Sequence, residues 1–185
     1  MRVIVGSSLF LLAVAPASAG RAEEEPKRVE PVVITATKVE TSVRELGASV
    51  TVVNGSDFQT YHYSTVDEAL RNVPGLEITR SGSLGKQSVV SIRGANPNQV
   101  QVLVDGVRVK SPTSGQADLS DLSPDLIERI EVIRGAQSTL YGADAIGGVI
   151  NIITKKGQGP PSGTVRLEGG TFETYREQVS VSGAW

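Results

Sequence analysis

The sequence predicts an α+β fold in which short mixed strands and short helices form one compact domain, residues 48–156, followed by two more strands. Two β-branched runs, Ile130–Ile133 and Val149–Thr154, flank a connection rich in glycine, which is typical of buried strands joined by tight turns. Residues 157–163 have the glycine and proline content of a linker, and residues 164–185 then alternate apolar and polar. A chain of 185 residues is long enough for one domain with its own core.

Residues 1–19 predict a cleaved signal peptide. Arg2 supplies a weak positive start, Val3 to Val14 is mostly apolar, and Ala17-Ser18-Ala19 fits a cleavage site with small residues. The apolar run is shorter than the roughly 20 residues that a membrane-spanning helix needs. A buried helix of the mature fold is the alternative interpretation.

Residues 20–47 predict a disordered tether, because Gly20 to Glu30 is charged and nearly free of large apolar side chains. Within it, residues 31–37 (Pro-Val-Val-Ile-Thr-Ala-Thr) are β-prone, and Pro31 cannot donate to a ladder. A free segment of this kind can add itself as a strand to another protein's sheet. An ordinary first strand of the chain's own sheet is the alternative.

The first half of the compact domain contains three predicted strands and a helix. Residues 48–53, 76–79 and 89–92 are rich in β-branched side chains. Ser64 is the predicted N-cap of a helix over residues 66–72, with Asp67 at the capping-box position. Pro74-Gly75 ends that helix.

The second half contains a predicted hairpin and a second short helix. Residues 100–104 and 107–109 flank Asp105-Gly106, a pair favoured in type I′ turns because both positions need positive φ. Ser123 as N-cap and Pro124 as the first helical residue predict a helix that ends near Arg129.

Residues 164–185 predict a hairpin with one apolar and one polar face, which is the pattern of a transmembrane β-barrel. An ordinary half-exposed hairpin is the alternative. Two strands cannot close a barrel, and an open sheet edge cannot lie in lipid. Since the pattern stops at Trp185, we expect the sequence to be a truncated part of a longer protein.

Composition argues against several classes of function. The net charge of −2 lacks the basic excess of a nucleic-acid binder, and a chain without cysteine holds no disulfide or thiolate metal site. His62 is the sole histidine, and it has no nucleophile elbow beside it. We therefore expect no enzyme, no cofactor and no metal site.

The amino-acid sequence of residues 126–155, together with the repeated motif Ile92-Arg93-Gly94 and Ile133-Arg134-Gly135, resembles the plug domain of TonB-dependent outer-membrane receptors. This resemblance implies a plug followed by the first two strands of an incomplete transmembrane β-barrel. It implies active transport across the outer membrane of a Gram-negative bacterium, driven by the periplasmic C-terminal domain of TonB pulling on residues 30–37. A soluble periplasmic binding module is the alternative of another class.

The resemblance also implies roles for individual residues. The box that TonB binds comprises Pro31, Val32, Val33, Ile34, Thr35 and Ala36. Arg93 and Arg134 would face acidic residues on the barrel wall and lock the plug, which suits the planar fork of arginine. Without those partners, we expect both arginines to be unpaired or to turn to Glu128 or Glu131.

Among receptors of this family, the stretch is most similar to the cobalamin (vitamin B12) receptors, which implies cobalamin as the ligand. Asn96 and Ser114 match ligand-contact positions there, whereas Gln87, Val89 and Thr113 occupy such positions with other residue types. One residue is also missing before Ser114. An iron-siderophore or haem is therefore kept as the alternative ligand.

Overall fold

The computed structural model describes residues 32–33, 41–42, 48–171 and 174–184. The predicted signal peptide, residues 1–19, and most of the predicted tether lie outside the described residues. The strands are β1 (Val32–Val33), β2 (Thr41–Ser42), β3 (Ser49–Asn54), β4 (Leu76–Arg80), β5 (Ser88–Ile92), β6 (Val100–Val104), β7 (Val107–Arg108), β8 (Ile127–Arg134), β9 (Gly148–Thr154), β10 (Ser162–Gly170) and β11 (Thr174–Ser182). The helices are α1 (Gly55–Thr60), α2 (Val66–Arg71) and α3 (Ser138–Tyr141), with 3₁₀ turns at Pro97–Gln99, Pro124–Leu126 and Ala143–Ala145.

A mixed five-stranded sheet forms the centre of the domain, in the order β3-β8-β9-β6-β7. Strands β6 and β9 are parallel, and the other neighbours are antiparallel. The β-branched runs predicted as buried strands are β8 and β9 at its middle, as expected. Strands β4 and β5 form a separate hairpin.

One face of the sheet carries the main apolar core. Ile130 and Val132 of β8 and Ile150 and Ile152 of β9 are almost completely buried on this face. Helix α2 and the β4–β5 hairpin cover them, and the apolar side chains that they contribute are Val66, Ala69, Leu70, Val90 and Ile92. Alternation in the strands therefore places the branched side chains on one covered surface.

The other face of the sheet is partly polar although it is buried. Glu131 is 0% exposed and accepts a hydrogen bond from Nε of Arg129 at 2.9 Å. Asn151, which is opposite Glu131 in the register, and Gln101 are also buried. A buried carboxylate requires such a partner, because desolvation of an unpaired charge costs several kcal/mol (~3–5).

The turn between β6 and β7 has the predicted geometry. Asp105 and Gly106 have φ of 49° and 82°, as a type I′ turn requires. The Asp105 carboxylate accepts hydrogen bonds from the backbone N–H and the hydroxyl of Thr154, at 2.8 and 2.6 Å. These two bonds lower the pKa of Asp105 below its usual value. The turn is thereby fixed to the end of β9.

Helix boundaries differ from the prediction in three places. Thr65, not Ser64, is the N-cap of α2, while the backbone N–H of Ser64 donates to Glu68. The helix predicted from Ser123 to Arg129 is a single 3₁₀ turn, because β8 begins at Ile127 and its ladder with β9 takes precedence over local helix signals. Helix α1 was not predicted, although Asn54 and Asp57 form a capping box at its start.

The final hairpin is longer than predicted and has the two faces expected of it. Strands β10 and β11 pair antiparallel, with Val165 opposite Val179, and β10 already begins inside the predicted linker 157–163. One face presents five apolar side chains that are each more than 65% exposed: Val165, Leu167, Tyr175, Val179 and Val181. Arg166 on the opposite face pairs with Asp125 of the domain at 2.9 Å. The polar face therefore points toward the domain, and the apolar face points away from it.

None of the helices in the described ranges is both long enough and apolar enough to cross a membrane.

The β8–β9 pairing depends on Gly148. Its φ is 151°, and a Cβ placed there would lie 2.2 Å from the carbonyl oxygen of Ile133. We expect Gly148→Ala to lower the free energy of unfolding by about 3–5 kcal/mol, because the strands must separate and the backbone is strained. Gly85→Ala is the control, since Gly85 also has positive φ but has no atom within 4 Å of the added Cβ. It should cost only about 1 kcal/mol. Urea denaturation measures both, and equal losses would contradict the steric explanation.

Candidate functional site

The part of the predicted TonB-binding segment that the structure describes is Val32–Val33. These residues form β1, which pairs with β2 of the same chain through Val32 opposite Ser42 and Val33 opposite Thr41. The prediction of disorder throughout residues 20–47 was therefore wrong for these four residues, because β-branched side chains favour even a short ladder. Pro31 and residues 34–36 (Ile-Thr-Ala) lie outside the described residues.

The β1–β2 ladder is a sheet of its own, separate from the five-stranded sheet. It contains only two register pairs, and a two-stranded ribbon of this size is marginal in water. Within the described part of the chain, each of its strands has one edge without a partner strand. Such an edge can accept a strand from another protein by main-chain hydrogen bonding.

The two arginines of the repeated Ile-Arg-Gly motif lie next to each other, on either side of Gly75. A Cβ on Gly75 would be 3.6 Å from side-chain carbons of both Arg93 and Arg134. The backbone N–H of Arg93 donates to the carbonyl of Gly75 at 2.8 Å, and Arg93 has a positive φ of 50°. Strand ends that are 41 positions apart in sequence thus bring two guanidinium groups to one edge of the domain.

The two side chains differ in their partners. Arg134 donates from Nη1 to the carbonyl of Pro74 at 2.6 Å and from Nη2 to the hydroxyl of Thr51 at 2.7 Å. Arg93 is exposed, and its guanidinium has no hydrogen bond or ion pair among the described residues. Burial, together with the charge of Arg93, lowers the pKa of Arg134.

The expectation that both arginines are unpaired or turn to Glu128 or Glu131 was wrong for Arg134, which bonds Pro74 and Thr51, whereas the guanidinium of Arg93 has no partner among the described residues. Both glutamates pair with Arg129 instead, at 2.9 Å each. Arg129 and Glu131 share one face of β8, because they are two positions apart on a strand. The spacing Glu128-Arg129-Ile130-Glu131 therefore carried the signal for this pair, which sequence reasoning missed.

Three of the predicted ligand residues lie on two loops that touch each other. Asn96 is the N-cap of the 3₁₀ turn Pro97–Gln99 and is exposed, as are Thr113 and Ser114 in the next long loop. A Cβ on Gly115 would lie 3.8 Å from the Cβ of Asn98, so the two loops are in contact. Their hydroxyl and amide groups form a polar surface that can donate and accept hydrogen bonds.

Gln87 and Val89 lie on the β4–β5 hairpin rather than on those loops. Between them, the backbone N–H of Ser88 donates to the carboxylate of Asp118 at 2.9 Å, and Asp118 also accepts from the N–H and the hydroxyl of Ser120. Asp118 thus joins the hairpin to the segment that follows Thr113 and Ser114. It was not predicted as a positioning residue, since nothing in the local sequence indicates Ser88 as its partner.

A groove of about 420 Å³ lies between the end of α1 and the polar face of the β10–β11 hairpin. It contains none of the predicted ligand residues. Charged and polar side chains line it, among them Gln59, His62, Arg166 and Arg176. Both the domain and the hairpin contribute to its walls, so we regard it as a gap between these two parts rather than as the ligand site. No group of three or more metal-ligating side chains occurs among the described residues.

The hydrogen bonds to Asp118 predict a pH effect. Burial raises the pKa of this carboxyl, but the three bonds from Ser88 and Ser120 outweigh burial and lower it below 3.8. A lowered pKa in the folded state gives stability that is present above the unfolded value and is lost as the pH falls through the folded value. We expect Asp118→Asn to cost ~1–2 kcal/mol at neutral pH, and we expect this cost to shrink as the pH is lowered below 3.8. Urea titrations at neutral pH and at a series of acidic pH values test this, with exposed Asp121→Asn as the control. A pH-independent loss would contradict it.

Comparison with known proteins places this geometry in a family. Residues 42–149, more than half of the chain, match the TonB-dependent Receptor Plug Domain family. The fold is similar to the pyoverdine outer membrane receptor FpvA of Pseudomonas aeruginosa PAO1 bound to pyoverdine, with a TM-score of 0.70 and 28% identity. That match covers 84% of this chain and 22% of the receptor.

Two other similar structures are siderophore receptors as well. The ferric yersiniabactin uptake receptor of Yersinia pestis is 32% identical, with a TM-score of 0.58 over 74% of this chain and 22% of the receptor. A mutant of the ferric enterobactin receptor of Pseudomonas aeruginosa is 33% identical, with a TM-score of 0.54 over 64% and 19%. The chain thus spans about a fifth of the length of the receptors that it matches. From the family match and these structures, the chain belongs to the TonB-dependent receptor plug domain family.

Proposed function

We propose that this chain is the gate of a TonB-dependent active transporter in the bacterial outer membrane. The observation that carries the proposal is the family match over residues 42–149, which continues into a hairpin that is polar toward the domain and apolar away from it. A plug inside a barrel needs this arrangement, because the outer face of the barrel meets lipid and the inner face meets the plug. Members of this family are transporters rather than enzymes.

The proposed organisation of the chain follows its sequence. Residues 1–19 are a signal peptide, 20–47 a tether with the TonB box at 30–37, 48–156 the plug, 157–163 a linker and 164–185 the first hairpin of the barrel. The linker is in effect shorter, since β10 begins at Ser162. The signal peptide sends the protein through the periplasm to the outer membrane.

TonB binds the box as an added strand and pulls the plug. Residues 31–36 supply a β-prone backbone, and the two register pairs of the β1–β2 ladder are too few to hold Val32 and Val33 against a competing strand. The force then reaches the plug through the tether. No bond of the ligand is made or broken in this mechanism.

The plug is locked in the barrel by charge pairing at the Ile-Arg-Gly motifs. Arg93 is exposed and carries a guanidinium whose five donors can meet a carboxylate of the barrel wall. Arg134 lies beside it, and its two terminal nitrogens already donate to Pro74 and Thr51. Arg93 is therefore the better placed of the two for the barrel.

The ligand that we propose is an iron-siderophore, in preference to cobalamin. The similar structures are receptors for ferric pyoverdine, yersiniabactin and enterobactin at 28–33% identity. Asn96, Thr113 and Ser114 on adjoining loops, with Gln87 and Val89 on the β4–β5 hairpin, form the plug's share of the site. A large polar chelate suits such loops, because they offer adaptable donors and acceptors on a rigid support.

Substitution in the box tests the TonB proposal. Val33→Pro removes a backbone donor and should weaken binding of the chain to the TonB C-terminal domain by about tenfold or more, measured in a pull-down or by calorimetry. Val33→Ala keeps the donor and should bind nearly as the parent does. Thr41→Pro disrupts the competing β1–β2 ladder and should bind at least as well. Parental binding by Val33→Pro would argue against the box.

Transport tests the ligand proposal. We expect bacteria that lack their own siderophore receptors, and produce the receptor carrying this plug, to accumulate radioactive iron from at least one ferric siderophore. Uptake should stop in Val33→Pro, since force transmission is lost. Cobalamin uptake is measured in parallel and should stay at background. Cobalamin uptake without iron uptake would reverse the assignment, and recovery of the protein in the soluble periplasm would favour a binding module.

A further inference from the structure

Three chain segments that are distant in sequence meet at the side chain of Arg134. Nη2 bonds the hydroxyl of Thr51 in β3, and Nη1 bonds the carbonyl of Pro74 in the connection from α2 to β4. Arg134 itself ends β8 and lies directly opposite Ser49, the first residue of β3. Both acceptors lie 2.6–2.7 Å from the guanidinium, which is typical of strong charge-assisted hydrogen bonds.

From this geometry we propose that Arg134 is an internal clamp that holds β3, the strand next to the tether, to β8 and to the α2–β4 connection. This role is additional to any pairing of Arg134 with a barrel residue, because each terminal nitrogen of the guanidinium carries a second N–H donor.

The clamp matters because β3 is the first strand of the sheet that a force from the tether reaches. β3 is an edge strand of the five-stranded sheet, and its one neighbour is β8, with six residues in register. A force from the tether reaches β3 at Ser49. The β3–β8 ladder then opens from the Ser49 end, and its hydrogen bonds break one after another. The clamp sits at the first three residues of the strand, so it must break before the rest of β3 can leave.

The bonds of the clamp are difficult to replace. One guanidinium reaches two acceptors on different segments because its donors form a rigid fork, whereas a lysine ammonium offers a single nitrogen. Release of β3 takes the Thr51 hydroxyl away from the guanidinium, which is half-buried next to the like charge of Arg93, and leaves it only the carbonyl of Pro74. Separation of β3 from β8 therefore breaks more than ladder hydrogen bonds. The role of the clamp under force depends on the proposed pull by TonB, whereas the hydrogen bonds that form the clamp do not depend on it.

Amide hydrogen exchange of the intact chain, followed by mass spectrometry, tests the clamp. We expect Thr51→Val, which removes the acceptor and keeps the shape, to accelerate exchange in residues 49–54 about tenfold relative to the parent. Thr51→Ser keeps the hydroxyl and is the matched control, with little change expected. Arg134→Lys should act like Thr51→Val. Arg93→Lys, in the other copy of the motif and without a partner among the described residues, should leave β3 unchanged.

Exchange in β6 and β9 separates a local effect from a global one. The proposal requires that these strands keep the parental rates in Thr51→Val. It is overturned if β3 and β9 accelerate equally, if Thr51→Val and Thr51→Ser behave alike, or if Arg93→Lys loosens β3 as much as Arg134→Lys does. Because Thr51→Val is nearly isosteric and retains a β-branched side chain, it serves where Arg134→Lys folds poorly. Exchange needs no TonB, so failure of the clamp and failure of TonB binding are distinguishable.

Discussion

The antiparallel pairing of β8 with β9 is the constraint on which the other features of the plug depend. Gly148 permits the close approach, because its missing Cβ leaves room for the carbonyl oxygen of Ile133. The pairing turns Ile130 and Ile150 toward one face and Glu131 and Asn151 toward the other. It also places Arg134 at one end of β8 and directs the end of β9 toward the hairpin. The register of β8 against β9 therefore determines the apolar core, the polar face and the position of Arg134.

Burying the polar second face of the sheet costs desolvation energy, and a neighbouring residue of the same strand offsets part of it. Glu131 is wholly buried, and its pairing with Arg129 keeps the carboxylate from being isolated in the interior. Replacing such a pair with apolar residues is often neutral or stabilising, so the pair is weak evidence of stability by itself. Under the proposed function, in which the domain is displaced from a barrel, the interior does not need to be the most stable one.

Local chemistry predicted much of the fold, whereas long-range partners were not predictable. The Asp105-Gly106 turn was identified because two adjacent residues fix its φ values. The supposed helix after Ser123 failed because β8 needs Ile127 for its ladder with β9, and tertiary pairing overrides a local cap. Asp118 and Ser88 are 30 positions apart, and no local pattern connects them. The box and the roles of the arginine motifs were predicted from family resemblance rather than from physics alone.

The two Ile-Arg-Gly motifs illustrate why identical sequence does not give identical contacts. Each arginine follows a β-branched run and precedes a glycine with positive φ. The difference comes from the neighbours. β8 has β3 alongside it, and the side chain of Arg134 reaches Thr51 diagonally across that pair. β5 pairs only with β4 within the described sheets, and Arg93, which follows β5, has a φ of 50° and is exposed. The strand next to each motif, which local sequence does not encode, therefore decides whether its arginine has an acceptor inside the domain.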